Sequence, residues 1–394
     1  MKRRPLLSVA LVAALTSGHA QAQSRPAGLV PDPSSVEAGL WQSSDRMERA
    51  ARASAERNAD EALNAYVRDV LCSIAREYCA EVRVYVMDRQ LFNATAAPNG
   101  YIEVWSGLLL RAENDAQLAF VLGHEITHFG ENHSLEQWNN TKGWATAAMV
   151  ITLGAGLAGV YYGVDLSSVG DLAYLAALSS IFSYGRGHES EADRLGLQRA
   201  AAAGYDPREA SKIWSALQQE TRASTFASVR RSEASPSLFR THPLTDDRID
   251  ALEAQASSLP SGGRADRARH RAAIRPFLPM WLEEELLKRD FGGFFVVLDR
   301  LAVGGEDLGV IEFYRGEGHR QRRGDGDLQR ARDAYARSVE QADAPVEAWR
   351  ELGDASHRLG DRATARVAWA TYLEKAVDAD DRWIVEDSLK ALGE

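Results

Sequence analysis

The sequence predicts a mostly helical α+β fold with one small sheet, followed by an all-α tail. Three observations lead there. Helical periodicity dominates both halves of the chain. Two stretches with strand alternation lie close together, at 82–86 and 101–105. Near the C-terminus a set of Gly, Asp, Ala and Arg residues recurs after 34 residues. With 394 residues, 45% hydrophobic and 26% charged, the chain is too apolar to be disordered and long enough for two or three domains. A net charge of -10 and a pI near 5.5 argue against general binding to nucleic acid or to anionic membranes. Two cysteines are too few for a cysteine-only zinc or iron–sulfur site.

The elements are read in chain order. Lys2, Arg3 and Arg4 precede an apolar run from Leu6 to Leu15, and Ala20-Gln21-Ala22 supplies a small-x-small pattern. This is the layout of a signal peptide, residues 1–22, cut after Ala22; the run is too short to span a bilayer. Processing removes three positive charges and takes the net charge to about -13. Residues 23–44, rich in Pro, Ser and Gly, read as a flexible leader. From Asp45 to Glu77 the pattern is helical, with Leu63, Tyr66, Val67, Val70, Leu71 and Ile74 on one face. On one continuous helix Cys72 and Cys79 would stand about 10.5 Å apart, beyond disulfide reach. A bridge therefore needs the helix to end and Cys79 to turn back toward the following strand; the alternative is two free buried thiols.

Val82, Val84 and Val86 alternate with Arg83 and Tyr85, Asn93–Asn99 reads as loop, and Tyr101–Trp105 is a second strand. Asn114 or Asp115 caps a helix running through Leu118, Val121 and Leu122. Gly143–Val164 holds 22 residues without a charge, and a second apolar run covers Leu172–Tyr184. The first is long enough to span a membrane. Its Ala, Gly and Thr content, and Asp165 and Asp171 between the runs, favour a helical hairpin packed in the core or lying on a membrane surface. Ser257–Gly263 reads as a linker, so residues 45–256 form one domain, 257–264 the connection and 265–394 a second, helical domain. Within it Gly326-Asp327, Ala331-Arg332, Ala334 and Tyr335 recur as Gly360-Asp361, Ala365-Arg366, Ala368 and Trp369, with Trp349, Leu352 and Gly353 between them. The pattern resembles the tetratricopeptide repeat, whose stacked helix pairs offer a groove to peptides or partner proteins.

The chemistry concentrates in His124-Glu125-Ile126-Thr127-His128. Two histidines four apart on a helix project from one face and can share a metal ion, and Glu125 can take a proton from an attacking water. Phe120, Val121 and Leu122 mark that helix as buried. A third ligand is needed. His133 stands at a poor angle to join the pair, which leaves it a supporting role. Downstream, Gly187-His188-Glu189-Ser190-Glu191-Ala192-Asp193 offers four candidates. Glu189 and Asp193 share a helical face, so Glu189 is read as the ligand and Asp193 as the group that orients a ligand histidine. Glu191 points about 200° away from Glu189 and reads as a solvent-facing charge, and His188 lies about 100° off.

His124-Glu125-x-x-His128, followed by Glu189-x-x-Ala192-Asp193, resembles metallopeptidase family forty-eight, as do Asn93-Ala94-x-Ala96-x-Pro98-x-Gly100-Tyr101 and Thr241-His242-Pro243-Leu244. The resemblance covers roughly residues 45–255. It implies a zincin-like metalloprotease domain holding one Zn2+ through His124, His128 and Glu189, with Glu125 as general base. Asp193 is assigned to catalysis with some family descriptions, and His242 sits on a loop that stabilises the oxyanion or takes the fourth zinc position. By the same analogy an extended substrate pairs along the strand Tyr101–Trp105. Together with a signal peptide and a repeat tail, the arrangement resembles the periplasmic barrel-assembly subgroup of the family. That implies misfolded or unassembled envelope proteins as substrates and the outer-membrane barrel-assembly machinery as a partner; the apolar stretch 143–184 adds an expected peripheral membrane contact, and the acidic balance argues against nucleic acid. Other readings are a chaperone or scaffold with a latent zinc site, and a membrane-embedded protease.

Overall fold

A computed structural model describes residues 24–140, 184–231 and 245–393. The expected signal peptide, the apolar stretch 143–183 and the His242 loop lie outside the described residues. Among the described residues, no helix is long and apolar enough to cross a membrane.

Three strands form the sheet: β1 (Arg83–Met87), β2 (Ala94–Ala96) and β3 (Tyr101–Trp105), in the order β1-β3-β2. β1 runs parallel to β3 with Val84 opposite Ile102, and β2 runs antiparallel to it with Thr95 opposite Glu103. β1 starts one residue later than its alternation suggests, and β2 occupies part of the expected loop. With a neighbour on each side, β3 has no open edge, so an added extended chain cannot pair along Tyr101–Trp105 as expected. Every residue of β3 is buried.

The expected helix over 45–77 is two helices. α1 (Val36–Ala53) begins at a Ser35 cap inside the expected leader, and α2 (Glu61–Ile74) begins at Asp60, whose side chain accepts from Leu63 N at 2.8 Å. The apolar face of α2 is buried as its periodicity requires. Because α2 stops at Ile74, Cys79 returns to 5.0 Å from Cys72 between Cα atoms, and the two form a disulfide. The leader is not loose either. Arg25 is 2% exposed, its N–H donates to Gly130 O, its guanidinium donates to Pro98 O at 2.7 Å, and it lies over the rings of Trp41 and Phe129.

α3 (Ser106–Arg111) leads into α4 (Asp115–Gly130), capped by Asn114, and all sixteen residues of α4 are buried. Around it stand α2, β2, α5 (His133–Asn140), α6 (Arg186–Ala202) and α7 (Glu209–Ala223). The short α8 (Ala227–Arg231) follows, and α9 (Asp246–Ser258) lies across α6 and α7. Thr245 takes the N-cap position of α9 but makes no side-chain cap bond.

The segment 257–264 does not separate two cores. Arg264 forms a bridge to Tyr205, and Gly263 meets the Tyr205 carbonyl so closely that an added Cβ would lie 2.4 Å from it. Beyond it, α10 (Arg267–Ile274), α11 (Leu278–Leu287), α12 (Phe291–Ala302) and the start of α13 (Leu308–Arg322) share one apolar cluster with α2, α4 and α7. His270 on α10 meets the Tyr66 hydroxyl at 2.8 Å and Leu109 O at 2.9 Å. Arg111 on α3 is held by Glu220 of α7 and Glu285 of α11. A buried guanidinium between two carboxylates from different helices fixes their register, because moving either leaves a charge unpaired in the interior. The remaining helices, α14 (Asp327–Val339), α15 (Glu347–Arg358), α16 (Arg362–Lys375) and α17 (Arg382–Gly393), each pack on the next. At Gly353 an added Cβ would lie 2.3 Å from the Trp369 ring, and at Gly316 the same distance from the Tyr335 ring.

Ending the chain at Ser258 would strip Trp281, Leu282, Leu298 and Ile274 from this shared core, where each is at most 1% exposed. Losing one such side chain costs about 2–5 kcal/mol, against a total stability of about 5–15 kcal/mol. The 24–258 fragment is expected to show no cooperative thermal transition; a sharp melt by circular dichroism would refute the shared core.

Candidate metal centre

The centre is built where α4 and α6 cross with almost no space between their backbones. A Cβ added at Gly123 would sit 2.9 Å from Gly196 O, and one added at Gly196 would sit 2.7 Å from His124 N. This approach brings the first turns of α6 over the C-terminal half of α4.

His124 and His128 face each other with their Nε2 atoms 3.1 Å apart. Glu189 brings Oε2 to 3.6 Å from His124 Nε2 and Oε1 to 3.6 Å from His128 Nε2. All three residues are buried, and their ligand atoms lie within 4.8 Å of one another. Tetrahedral coordination with bonds of about 2.0–2.2 Å sets ligand atoms about 3.3–3.5 Å apart, so the spacing fits one small divalent cation. Two imidazoles and one carboxylate are also the donor set of hydrolytic zinc sites. Glu125 is buried beside them at 2% exposure.

Asp193 stands behind the ligands, with Oδ1 3.0 Å from His124 Nδ1. Burial alone would raise its pKa. The guanidinium of Arg248 and the bond to His124 outweigh that and hold it at about 2, so Asp193 is an anion at any working pH. Arg248, on α9, donates from Nε to Asp193 Oδ2 at 2.6 Å, and its Nη1 lies 2.9 Å from Glu189 Oε2. Its own pKa is raised by those two carboxylates against the effect of burial. One arginine thus fixes both the ligand carboxylate and the carboxylate behind a ligand histidine.

His128 is boxed in by rings. Tyr184 stacks on it at 3.8 Å between centroids and 10° between planes, and the Tyr184 hydroxyl meets Ser134 Oγ at 2.8 Å. His133 Nδ1 lies 2.9 Å from His128 Nδ1. Burial, with His188 and His124 close by, pushes the pKa of His133 down to about 3. His188 is not at the ligand cluster; it contacts Glu136 at 2.9 Å and stacks on His133 at 4.4 Å. Glu191 is partly exposed and pairs with Arg194 at 3.3 Å, but its other oxygen turns inward to 3.5 Å from His133 Nε2. Sequence reasoning misses Arg248, Tyr184 and the inward turn of Glu191. In sequence Arg248 follows two aspartates at a helix start and reads as a surface charge. No local signal marks it.

A buried triad able to hold one cation, two of its members on a histidine–glutamate helix, with a glutamate beside it and a small sheet alongside, is the arrangement of a metallopeptidase. The model of peptidase family M48 matches residues 45–256, and the chain belongs to that family. Among the curated proteins it is similar to β-barrel assembly-enhancing proteases. The putative β-barrel assembly-enhancing protease of Vibrio cholerae is 28% identical over 207 residues, covering 51% of this chain and 40% of the relative. That of Escherichia coli K12 is 27% identical over 271 residues, covering 64% and 52%. The mitochondrial metalloendopeptidase OMA1 of Bos taurus is 31% identical over 182 residues, covering 43% and 31%. The chain spans about half or less of the length of these curated relatives.

Gly196→Ala is expected to push α6 off α4, lower stability by about 1–3 kcal/mol and weaken metal uptake. Thermal unfolding with and without added zinc would show it, and an unchanged zinc-dependent shift would count against the crossing as the ruler of the site. Arg248→Ala leaves two buried carboxylates without their guanidinium and should cost about 3–5 kcal/mol in the metal-free chain. Calorimetry of the chelated protein checks this.

Proposed function

We propose that the chain is an exported zinc metalloendopeptidase that hydrolyses peptide bonds of misfolded or unassembled envelope proteins in the periplasm. The observation that carries the reading is the convergence of His124, His128 and Glu189 with Glu125 at their side. His124, His128 and Glu189 would hold the zinc, whose chemistry when bound is Lewis-acid activation of water and of the scissile carbonyl. Glu125 accepts the proton of the attacking water and delivers it to the leaving amine nitrogen. Asp193 keeps the His124 proton on Nδ1, so that the Nε2 lone pair is the one turned to the ligand cluster. Arg248 holds Glu189 and Asp193 in place for both tasks. With β3 closed on both sides, β2 is the sheet edge nearest α4 and the place where an extended substrate would lie, as an added strand. His242 is proposed to serve the oxyanion or the fourth metal position from its loop.

The barrel-assembly names of relatives support the choice of substrate, and the signal-peptide pattern at residues 1–22 supports export. The helical tail supports client binding. The Gly353–Trp369 and Gly316–Tyr335 contacts suit two stacked tetratricopeptide-like pairs, α13–α14 and α15–α16, with the barrel-assembly machinery or its clients as partner. Contact of 143–184 with a membrane surface belongs to the same proposal.

Glu125→Gln should keep stoichiometric zinc and the wild-type melt while casein cleavage falls about 10²–10⁴-fold. Chelation should abolish wild-type cleavage, and zinc should restore it. Cleavage by Glu125→Gln at the wild-type rate would sink the mechanism.

A further inference from the structure

Each ligand histidine has a rear nitrogen, and the two rear nitrogens meet different chemistry. His124 and His128 turn Nε2 toward each other, so Nδ1 is the rear atom on both. That of His124 faces the carboxylate of Asp193 at 3.0 Å. That of His128 faces another imidazole nitrogen, His133 Nδ1, at 2.9 Å. An imidazole that ligates a metal through Nε2 carries its proton on Nδ1. His128 Nδ1 therefore donates, and His133 Nδ1 must accept; any other assignment sets two lone pairs or two protons against each other at 2.9 Å. The one ring proton of His133 then sits on Nε2, the atom that lies 3.5 Å from Glu191 Oε2. His133 is fully buried, and its ring is pinned by the His188 stack, itself anchored to Glu136.

We propose that His133 is the positioning residue of the ligand His128, fixing its tautomer and ring plane, with Glu191 closing the chain behind it. The site thus has an anionic support on one ligand and a neutral support on the other. The inference rests on the zinc reading of the site. It gives a role to a histidine five residues past the second ligand, which ligation alone leaves unexplained. Glu191 contributes less than His133, since it stands further off and shares its charge with Arg194.

The test compares His133→Leu with His133→Asn in the mature chain. Asparagine can offer Oδ1 near the place of His133 Nδ1 as an acceptor, whereas leucine fills the space without one. Zinc affinity is read by competition with a chromogenic chelator, and the metal-free melt is read separately. His133→Leu should bind zinc about 10–100-fold more weakly, with His133→Asn recovering most of the loss. The visible spectrum of the Co2+-substituted protein should shift in the leucine variant and return toward wild type in the asparagine variant. Equal zinc loss in both variants, tracking their metal-free melts, would show packing alone and overturn the inference. So would leucine-variant affinity within about twofold of wild type. A wild-type chain that takes up no zinc would instead overturn the reading of the site itself, and this inference with it.

Discussion

Between α4 and α6 there is no room for a side chain at the crossing, and the rest of the centre depends on that contact. Gly123 and Gly196 let the two backbones touch. A helix pair with ordinary side chains at the contact keeps its axes about 8–10 Å apart. At such a separation Glu189, one turn into α6, would not bring its oxygens to 3.6 Å from both imidazoles. The ligand spacing is thus set by backbone contact rather than by side-chain rotamers. Such a distance is rigid, as a metal site with a defined coordination geometry requires.

Around this contact the centre gathers charge in a dry interior. Glu125, Glu189 and Asp193 are all buried, and Arg248 is buried with them. A buried charge alone would shift its pKa and discharge; Asp193 and Arg248, paired at 2.6 Å, hold each other ionised. Asp193 shows the outcome, since its arginine and histidine partners overcome the effect of burial. The arrangement ties the candidate centre to α9, a helix that supplies none of the three candidate ligands. It also connects the candidate ligands to Trp214 of α7, which lies beneath the Arg248 guanidinium and edge-on to His124. Helices that hold no ligand therefore still shape the site.

Much of this is legible in the amino-acid order alone. The face of α2, the Asn114 cap and the strand Tyr101–Trp105 follow from local periodicity and capping chemistry, which need no knowledge of distant residues. The pairing of His124 with His128 and of Glu189 with Asp193 is equally local, because a helix converts sequence offsets into a common face; the meeting of the two pairs is not, since it depends on the Gly123–Gly196 contact. What stays hidden depends on long-range contact or on very short elements. β2 is three small residues, too few to show alternation. Arg248 acquires its role only when α9 crosses α6. The composition of 23–44 is that of a loop for its first dozen residues, yet the buried Arg25, with Ser24 and Gly28 beside it, anchors it. The glycines of Ser257–Gly263 do mark non-helical chain, but loop composition does not reveal that Gly263 and Arg264 are fastened to Tyr205. The earlier helix pair of the tail is masked because Gly316 and Tyr335 stand nineteen residues apart, against sixteen for Gly353 and Trp369, which breaks the 34-residue register.

The shared core has a mechanical consequence. A tail joined by a loose tether searches a volume, and its cargo meets the protease at whatever point diffusion allows. Here α10, α11 and α12 are wedged into the same interior as α4, and Arg111 and His270 lock them there. If, as proposed, the later helices grip a client chain, it would be presented at a set reach from the candidate metal centre. Cleavage sites would then be chosen by their distance from the grip, and the tail would act as a caliper rather than a leash.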